Sequence, residues 1–242
     1  MRASGRISLT PAYLLHQMPW RDSSRILEFF ARDHGRVSLF ARGVRREGSP
    51  ARPLLQPFQR LLISWTGRGE AGSLAGVERD GDWTALPATQ VMSGFYLNEL
   101  LLKLLVRHDA HPRLFDDYDE TLRGLRSGAT AVRCLRIFEK RLLQALGWWP
   151  GCERETASGA RLDAEGHYFF RPDRGVEAAV AEAPATYRGA SLLSLAGEEL
   201  VDERSLRDAR RLLRAALDAC LEGRSLRSRE VLTALRRQEI KL

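Results

Sequence analysis

The pattern of hydrophobic and polar positions changes character once along the chain, near residue 86. Before that point apolar residues fall in short runs or alternate; after it they recur every three or four positions. Ile7, Leu9 and then Tyr13-Leu14-Leu15 form an extended apolar run that Pro11 breaks, and Arg25 to Ala31 is apolar with little helical spacing. Asp33-His34-Gly35 is a turn signal. Val37, Leu39 and Ala41 alternate with Arg36 and Ser38, the period of two of a half-buried strand. Arg42 to Pro53 holds Gly43, Gly48, Pro50 and Pro53 among arginines and reads as a mobile loop. Phe58 to Trp65 and Leu74 to Glu78 predict two more strands, separated by the Gly-rich stretch Thr66 to Gly72 and ended by Asp80-Gly81-Asp82. About five short strands with turns between them predict a small barrel.

Past the Leu86-Pro87 linker the period is helical. Met92, Phe95, Tyr96, Glu99, Leu100 and Lys103 predict a helix flanked by more leucines, apolar on most sides and therefore central. Pro112 opens a second helix with the stripe Leu114, Phe115, Tyr118, Leu122 and Leu125. A third runs from Thr130 to Leu146, with Cys134, Leu135, Phe138, Leu142 and Ala145 facing inward and Gly147 as its stop. Residues 150–187 are mixed, with several glycines and one aromatic run, Tyr168-Phe169-Phe170. Helical spacing resumes from Leu206 to Cys220 and stops at Gly223; Ser228 is placed to cap a last helix carrying Val231, Leu232 and Leu235. The pattern thus divides the chain into 1–84, 90–149, 150–188 and 189–242, with no internal repeat and no low-complexity tract.

Composition adds compartment. At 44% hydrophobic and 29% charged residues, the 242-residue chain has an ordinary globular balance. It contains no apolar run long enough for a transmembrane helix, and its first residues lack a signal-peptide pattern. Cys134, Cys152 and Cys220 are isolated, which argues against a disulfide framework and predicts a cytoplasmic protein.

Charge adds a partner class. The formal net charge is +7, and 35 of the 38 basic residues are Arg. Residues 1–85 carry 13 Arg against 8 acidic residues, so most of the excess lies in the first third. Between His34 and Arg60 only Glu47 opposes Arg36, Arg42, Arg45, Arg46, Arg52 and Arg60. Such a field favours a polyanion, nucleic acid first. The guanidinium offers both a bidentate phosphate contact and a planar stacking face, and small barrels bind single strands with a positive groove plus aromatics on which bases stack. Arg21, Arg36, Arg42, Arg45, Arg46 and Arg52 are the candidate groove, and Trp20, Phe40 and Trp65 the candidate stackers; the alternative for Phe40 and Trp65 is the barrel core.

Other chemistry is thin. Gly67-Arg68-Gly69-Glu70-Ala71-Gly72 matches a dinucleotide-binding string, but strands are expected on both sides where that motif needs a following helix, so it reads as a hairpin turn. His108, Asp109 and His111 before Pro112 read as a polar turn, with no further ligands for zinc. Cys134 and Cys220 fall on apolar helix stripes and are expected in the core. No phosphate-loop motif and no nucleophile elbow occurs, so the sequence supports no enzymatic activity and no cofactor.

Eight stretches follow one another along the chain. The first four are Pro19-Trp20-Arg21-Asp22-Ser23-Ser24, Asp33-His34-Gly35-Arg36-Val37, Ala41-Arg42-Gly43-Val44-Arg45-Arg46 and Leu54-Leu55-Gln56-Pro57-Phe58. Gly67-Arg68-Gly69-Glu70, Gly94-Phe95-Tyr96-Leu97-Asn98-Glu99-Leu100-Leu101, Leu135-Arg136-Ile137-Phe138-Glu139 and Leu226-Arg227-Ser228-Arg229-Glu230 complete the set. Taken in this order, they resemble the RecO family of bacterial DNA repair and recombination mediators. The resemblance implies an α+β chain: an N-terminal OB-fold barrel, then a mainly helical domain around an irregular, zinc-finger-like insert. It implies a non-enzymatic, nucleoid-associated role: binding single- and double-stranded DNA, annealing complementary strands, and helping RecR load RecA onto DNA coated by single-stranded-DNA-binding protein. Some members hold zinc in the insert with four cysteines; this chain has only Cys152 there, so no metal is expected. Members also recruit single-stranded-DNA-binding protein through its acidic tail. A pocket for that tail needs a basic residue, and Arg136 matches the family's basic position in the Leu-Arg-x-Phe-Glu stretch, with Arg133 and Lys140 a turn either side; the alternative for all three is a solvated helix face. A non-catalytic adaptor for single-stranded-DNA-binding protein and an RNA-binding OB-fold protein are the alternative functions.

Overall fold

The computed structural model describes residues 5–67, 71–82, 84–128, 130–231 and 234. These form two compact units, one of residues 1–127 with 226–242 and one of residues 128–225.

The first unit is built on strands β1 (Arg6–Trp20), β2 (Ser24–Ala31), β3 (Gly35–Ala41), β4 (Arg60–Thr66) and β5 (Ala71–Arg79). They close into a barrel in the order β1-β2-β3-β5-β4, with β3 and β5 parallel and the other pairs antiparallel. This is the OB-fold. Pro11 does not break β1, as the sequence suggested. It follows a bulge against β4 between Ile7 and Thr10, where Leu9 takes φ 50° and its N–H turns to Ser64 Oγ at 3.0 Å. A bulge is one of the few places where a strand tolerates a residue without a donor. Leu14, Leu27, Phe29, Val37, Leu39, Leu61, Ile63 and Trp65 fill the barrel.

β2 is buried on both faces: Phe29 points into the barrel, and Phe30 points out under the helices. Those helices are α1 (Val91–Leu104) and α2 (Pro112–Arg126). Tyr13 and Phe30 meet Phe115 and Tyr118 of α2 in an aromatic cluster with centroid separations of 5.0–6.4 Å. The predicted stripe of α2 is buried throughout. On α1 the buried set is instead Gly94, Tyr96, Leu97, Asn98, Leu100, Leu101 and Leu104, and Phe95 is exposed. Asn98 is buried because every polar atom is used: Nδ2 donates to the Leu15 carbonyl at 3.1 Å and Oδ1 accepts from Tyr118 at 2.5 Å. Below it Asp119 accepts from the Tyr13 hydroxyl and from Arg60 and Arg123. Burial, then the Asp119 hydrogen bond, holds the Tyr13 phenol far above its usual range, so it stays a donor.

The chain returns to this unit at its end. Residues 227–231 are helical, but Ser228 is not their cap: the N–H groups of Arg227 and Ser228 and the Ser228 hydroxyl all donate to the Glu99 carboxylate of α1. A distant side chain thus satisfies the first donors of the helix. Leu232 and Leu235 lie outside the described residues.

The second unit holds α3 (Ala131–Ala145), a three-stranded sheet of β6 (His167–Arg171), β7 (Gly175–Ala179) and β8 (Tyr187–Arg188) in the order β7-β6-β8, then α4 (Gly189–Ala196) and α5 (Glu203–Leu221). The predicted aromatic run lies on β6, while α4 was not legible as a helix. Asp202 caps α5 by accepting from Ser205 N–H at 2.8 Å, and Glu222 ends it in the left-handed region, one residue before the predicted Gly223.

Candidate nucleic-acid interface

The barrel end formed by the β1–β2 turn and the β3–β4 connection gathers most of the predicted arginines. The connection is a ladder of tight turns, with Arg46, Ser49 and Arg52 donating to the carbonyls of Gly43, Arg46 and Ser49 at 3.0–3.3 Å. It is pinned inward by Val44 and Leu55, which reach the barrel core, and sideways by Arg45. The Arg45 N–H donates to the Ser23 carbonyl at 2.9 Å and its guanidinium to the Arg21 carbonyl at 3.2 Å. The loop expected to be mobile is therefore a folded platform, because its apolar residues are spaced to reach the core between turns. Arg21, Arg42, Arg45, Arg46 and Arg52 are all exposed on it, and among the described residues Arg42, Arg46 and Arg52 have no ion-pair partner. Arg21 takes φ 52° in the turn beside Trp20.

Next to this platform lies an aromatic pair of which Trp20 is exposed and Phe40 half-buried. Met18, Ile26 and Phe40 stand directly opposite one another across β1, β2 and β3, which puts them on one face of the sheet. Trp20 packs on Phe40 with ring centroids 6.0 Å apart at 53°. Trp20 and Met18 are each 43% exposed. Trp65, by contrast, is 5% exposed and belongs to the barrel core. Met18 and Ile26 carry no charge or ring and gave no signal as site residues; the alternation Met18-Pro19-Trp20 was the only available sign.

Arg36 is not brought to this surface. Its guanidinium donates to the Leu102 carbonyl and lies 3.4 Å from Glu28, whose other oxygen accepts from Arg107 at 2.6 Å. Burial lowers the Arg36 pKa, and neighbouring Glu28 only partly offsets this. The alternation that marked β3 could not show that its first outward position is covered by α1.

In the second unit, Arg133, Arg136 and Lys140 share α3; Arg136 and Lys140 are buried, while Arg133 is exposed but hydrogen-bonded. Lys140 donates to the carbonyls of Leu195 and Ala196, the last turn of α4, and meets Glu198 at 3.0 Å. Arg133 donates to the carbonyls of Glu198 and Glu199 at 2.7 Å, and Arg141 pairs with Glu198. Three cations of α3 thus satisfy the carbonyl end of α4 and the residues just past it, where cations are favoured. Arg136 is buried against Glu139 at 2.5 Å, and its Nε–H has no acceptor among the described residues. The inward set of α3 is accordingly Arg136, Phe138, Glu139, Lys140, Leu142 and Leu143, with Ala145 exposed and Cys134 and Leu135 half-buried. Paired charges turned the helix away from its purely apolar stripe.

The fully buried cysteine is Cys152, whose thiol donates to the Leu192 carbonyl at 3.3 Å; burial pushes its pKa up to about 12. Cys134 and Cys220 are only half-buried, not core residues as expected. Among the described residues no three His, Cys, Asp or Glu side chains gather as metal ligands, and no helix is long and apolar enough to cross a membrane. His111 Nε2 instead lies 3.3 Å from the Asp109 carboxylate. The Gly67–Gly72 string joins the antiparallel β4 and β5, as a hairpin connection does; its residues 68–70 lie outside the described residues.

Comparison with known proteins covers both parts of the chain. Residues 6–79 match the family model described as recombination protein O N terminal, and residues 89–230 the one described as recombination protein O C terminal. A DNA repair protein RecO of Alkalilimnicola ehrlichii is 46% identical over 236 residues, covering 96% of this chain and 93% of the relative. Those of Ralstonia nicotianae and Thiobacillus denitrificans are 38% and 39% identical, over 98% and 97% of this chain and 88% and 95% of theirs.

Proposed function

The chain belongs to the RecO family of DNA repair proteins, and from that premise we propose that it is a non-catalytic recombination mediator that binds single- and double-stranded DNA through its barrel, anneals complementary strands, and helps RecR load RecA onto DNA coated by single-stranded-DNA-binding protein. The observation that carries this reading is the exposed platform of Arg21, Arg42, Arg45, Arg46 and Arg52 beside the Trp20–Phe40 pair. The guanidinium groups of Arg42, Arg46 and Arg52, without ion-pair partners among the described residues, are available to phosphates, and the exposed Trp20 ring packed on half-buried Phe40 supplies a face for bases. Annealing then follows from holding a strand by its backbone while its base edges stay open for pairing.

The test is anisotropy of labelled single strands across a salt series, with an annealing assay of complementary oligonucleotides alongside. Replacing Arg42, Arg46 and Arg52 together by Ala removes three phosphate contacts without touching an internal ion pair. It is expected to flatten the log–log salt slope by about 2 and to slow annealing. An unchanged slope overturns the placement of the interface.

Recruitment of the acidic tail of single-stranded-DNA-binding protein is assigned in the same reading to Arg136, Arg133 and Lys140. Its support is the buried Arg136 Nε–H without an acceptor, since a carboxylate arriving there completes the donor set of the guanidinium. Arg133 and Lys140 already hold carbonyl oxygens and serve the site by fixing its floor. A synthetic tail peptide titrated against Arg136→Ala checks this: undiminished affinity removes the site from α3.

A further inference from the structure

A second feature of the barrel is not explained by backbone binding. β3 and β5 pair only through Ser38–Phe40 and Ala71–Ser73, so the wall is short there, and a hollow of about 470 Å³ opens beside it. Its apolar lining is Ile7, Val37, Leu39 and the indole of Trp65. Around these stand Asp33, His34, Ser38 and His108, with the His34 ring set edge-on to Trp65 at 5.1 Å and 84°. Two glycines make the shape. A side chain at Gly72 would meet Trp65 at 2.9 Å, and one at Gly35 would overlap the Asp109 carbonyl at 1.8 Å; that close approach brings His108 to the start of β3. The His108 N–H closes the contact on the Arg36 carbonyl at 3.0 Å.

The structure assigns this hollow to a single unstacked nucleobase of a bound strand. The inference rests on the DNA-binding reading above and deepens it. The described lining offers one carboxylate and apolar walls, which favour the base of a nucleotide over its phosphate. Aromatic and aliphatic walls suit a planar ring, and a carboxylate, a hydroxyl and two imidazoles supply the mixed donors and acceptors that read a base edge. Its volume lies within the usual range for small-ligand sites. Its position fits as well: Ser38 at the hollow and Phe40 under Trp20 are successive outward positions of β3, about 6.6 Å apart at the rise of a strand. One nucleotide stacked on the Trp20–Phe40 pair places its neighbour at the opening.

The test is a set of labelled oligonucleotides in which one abasic position is moved stepwise along the strand, bound to the wild-type protein, to His34→Ala and to His108→Asn. Asn keeps the positive φ of residue 108 accessible, and thermal melts of both variants report folding. The wild type is expected to lose roughly 5- to 150-fold in affinity at one abasic position, the size of a single base contact, and both variants to lose that sensitivity. Equal binding at every abasic position, or full sensitivity in both variants, overturns the assignment. The Arg42, Arg46 and Arg52 triple variant separates the two proposals, because it should weaken intact and abasic strands by the same factor. If no strand binds at all, the DNA-binding reading falls, and titration with free nucleoside monophosphates, followed by NMR of the imidazoles, decides the hollow alone: shifts at His34 and His108 uphold it, and their absence rejects it.

Discussion

Glu99 shows how much one side chain does in this protein. Its carboxylate accepts from the Arg227 and Ser228 N–H groups and the Ser228 hydroxyl, and Lys103 lies 3.5 Å away. Burial alone would raise its pKa; the Ser228 hydroxyl and backbone donors, then Arg227 and Lys103, outweigh it and hold the group below its ordinary 4.5. A carboxylate lowered in the folded state contributes stability that is whole above the ordinary value and is lost as pH falls through the lowered one. The Ser228 amide should therefore lose protection, measured against its intrinsic exchange rate at each pH, as the solution is acidified below about pH 4.5. In Glu99→Gln this acid dependence should vanish, with the segment loosened at all pH by roughly 0.5–2 kcal/mol, the worth of a helix cap. Gly35 makes the opposite point, a residue defined by what it lacks. At φ +65° and with the Asp109 carbonyl where a Cβ would stand, Gly35→Ala is expected to cost about 2–4 kcal/mol, read as a drop in melting temperature. The glycine was visible as a turn residue; the carbonyl that occupies its empty side comes from a loop more than 70 positions away, and nothing local announces it.

The elements divide by how local their causes are. The strands β2 to β5 and the helices α1 to α3 and α5 follow from period and punctuation, and the structure places them within a few residues of expectation. α2 was legible down to its stripe, because its partners, the barrel and α1, are themselves apolar. α3 was legible as a helix but not in its facing, because Lys140, Arg133 and Arg141 turn to the carbonyl end of α4, an element of only eight residues with no polar face to give a period. This gives a test. Lys140→Met keeps the length of the chain but leaves the Leu195 and Ala196 carbonyls without their donor. It is expected to destabilise α4 by about 1–3 kcal/mol, measurable as faster amide exchange from Gly189 to Ala196. Lys140→Arg should recover part of that loss. The arginine connection between β3 and β4 belongs to the same lesson: its glycines and prolines promised mobility, and Val44 and Leu55 made it a platform.

At the scale of the molecule, the chain leaves its first compact unit after residue 127 and re-enters it at Leu226. Leu226 is buried, and Glu99 holds the residues that follow it. Truncation before Leu226 should thus lower the stability of the barrel-bearing unit, read as earlier unfolding of α1 in pulsed hydrogen exchange; an unchanged α1 would show the return to be ornamental. The sequence by itself determined the class of this protein: a barrel followed by helices, an excess of arginine in the first third, and an ordered run of family motifs. Those properties are written in period, composition and spacing, which need no knowledge of what lies across the fold. Tertiary structure alone decided which arginines are available. Arg36 and Arg42 sit six residues apart in the same basic stretch, yet one is drawn to Leu102 and Glu28 and the other stands free of ion pairs among the described residues. Availability of a charge depends on which acceptors the folded chain brings within hydrogen-bond reach, and those acceptors come from residues distant in sequence.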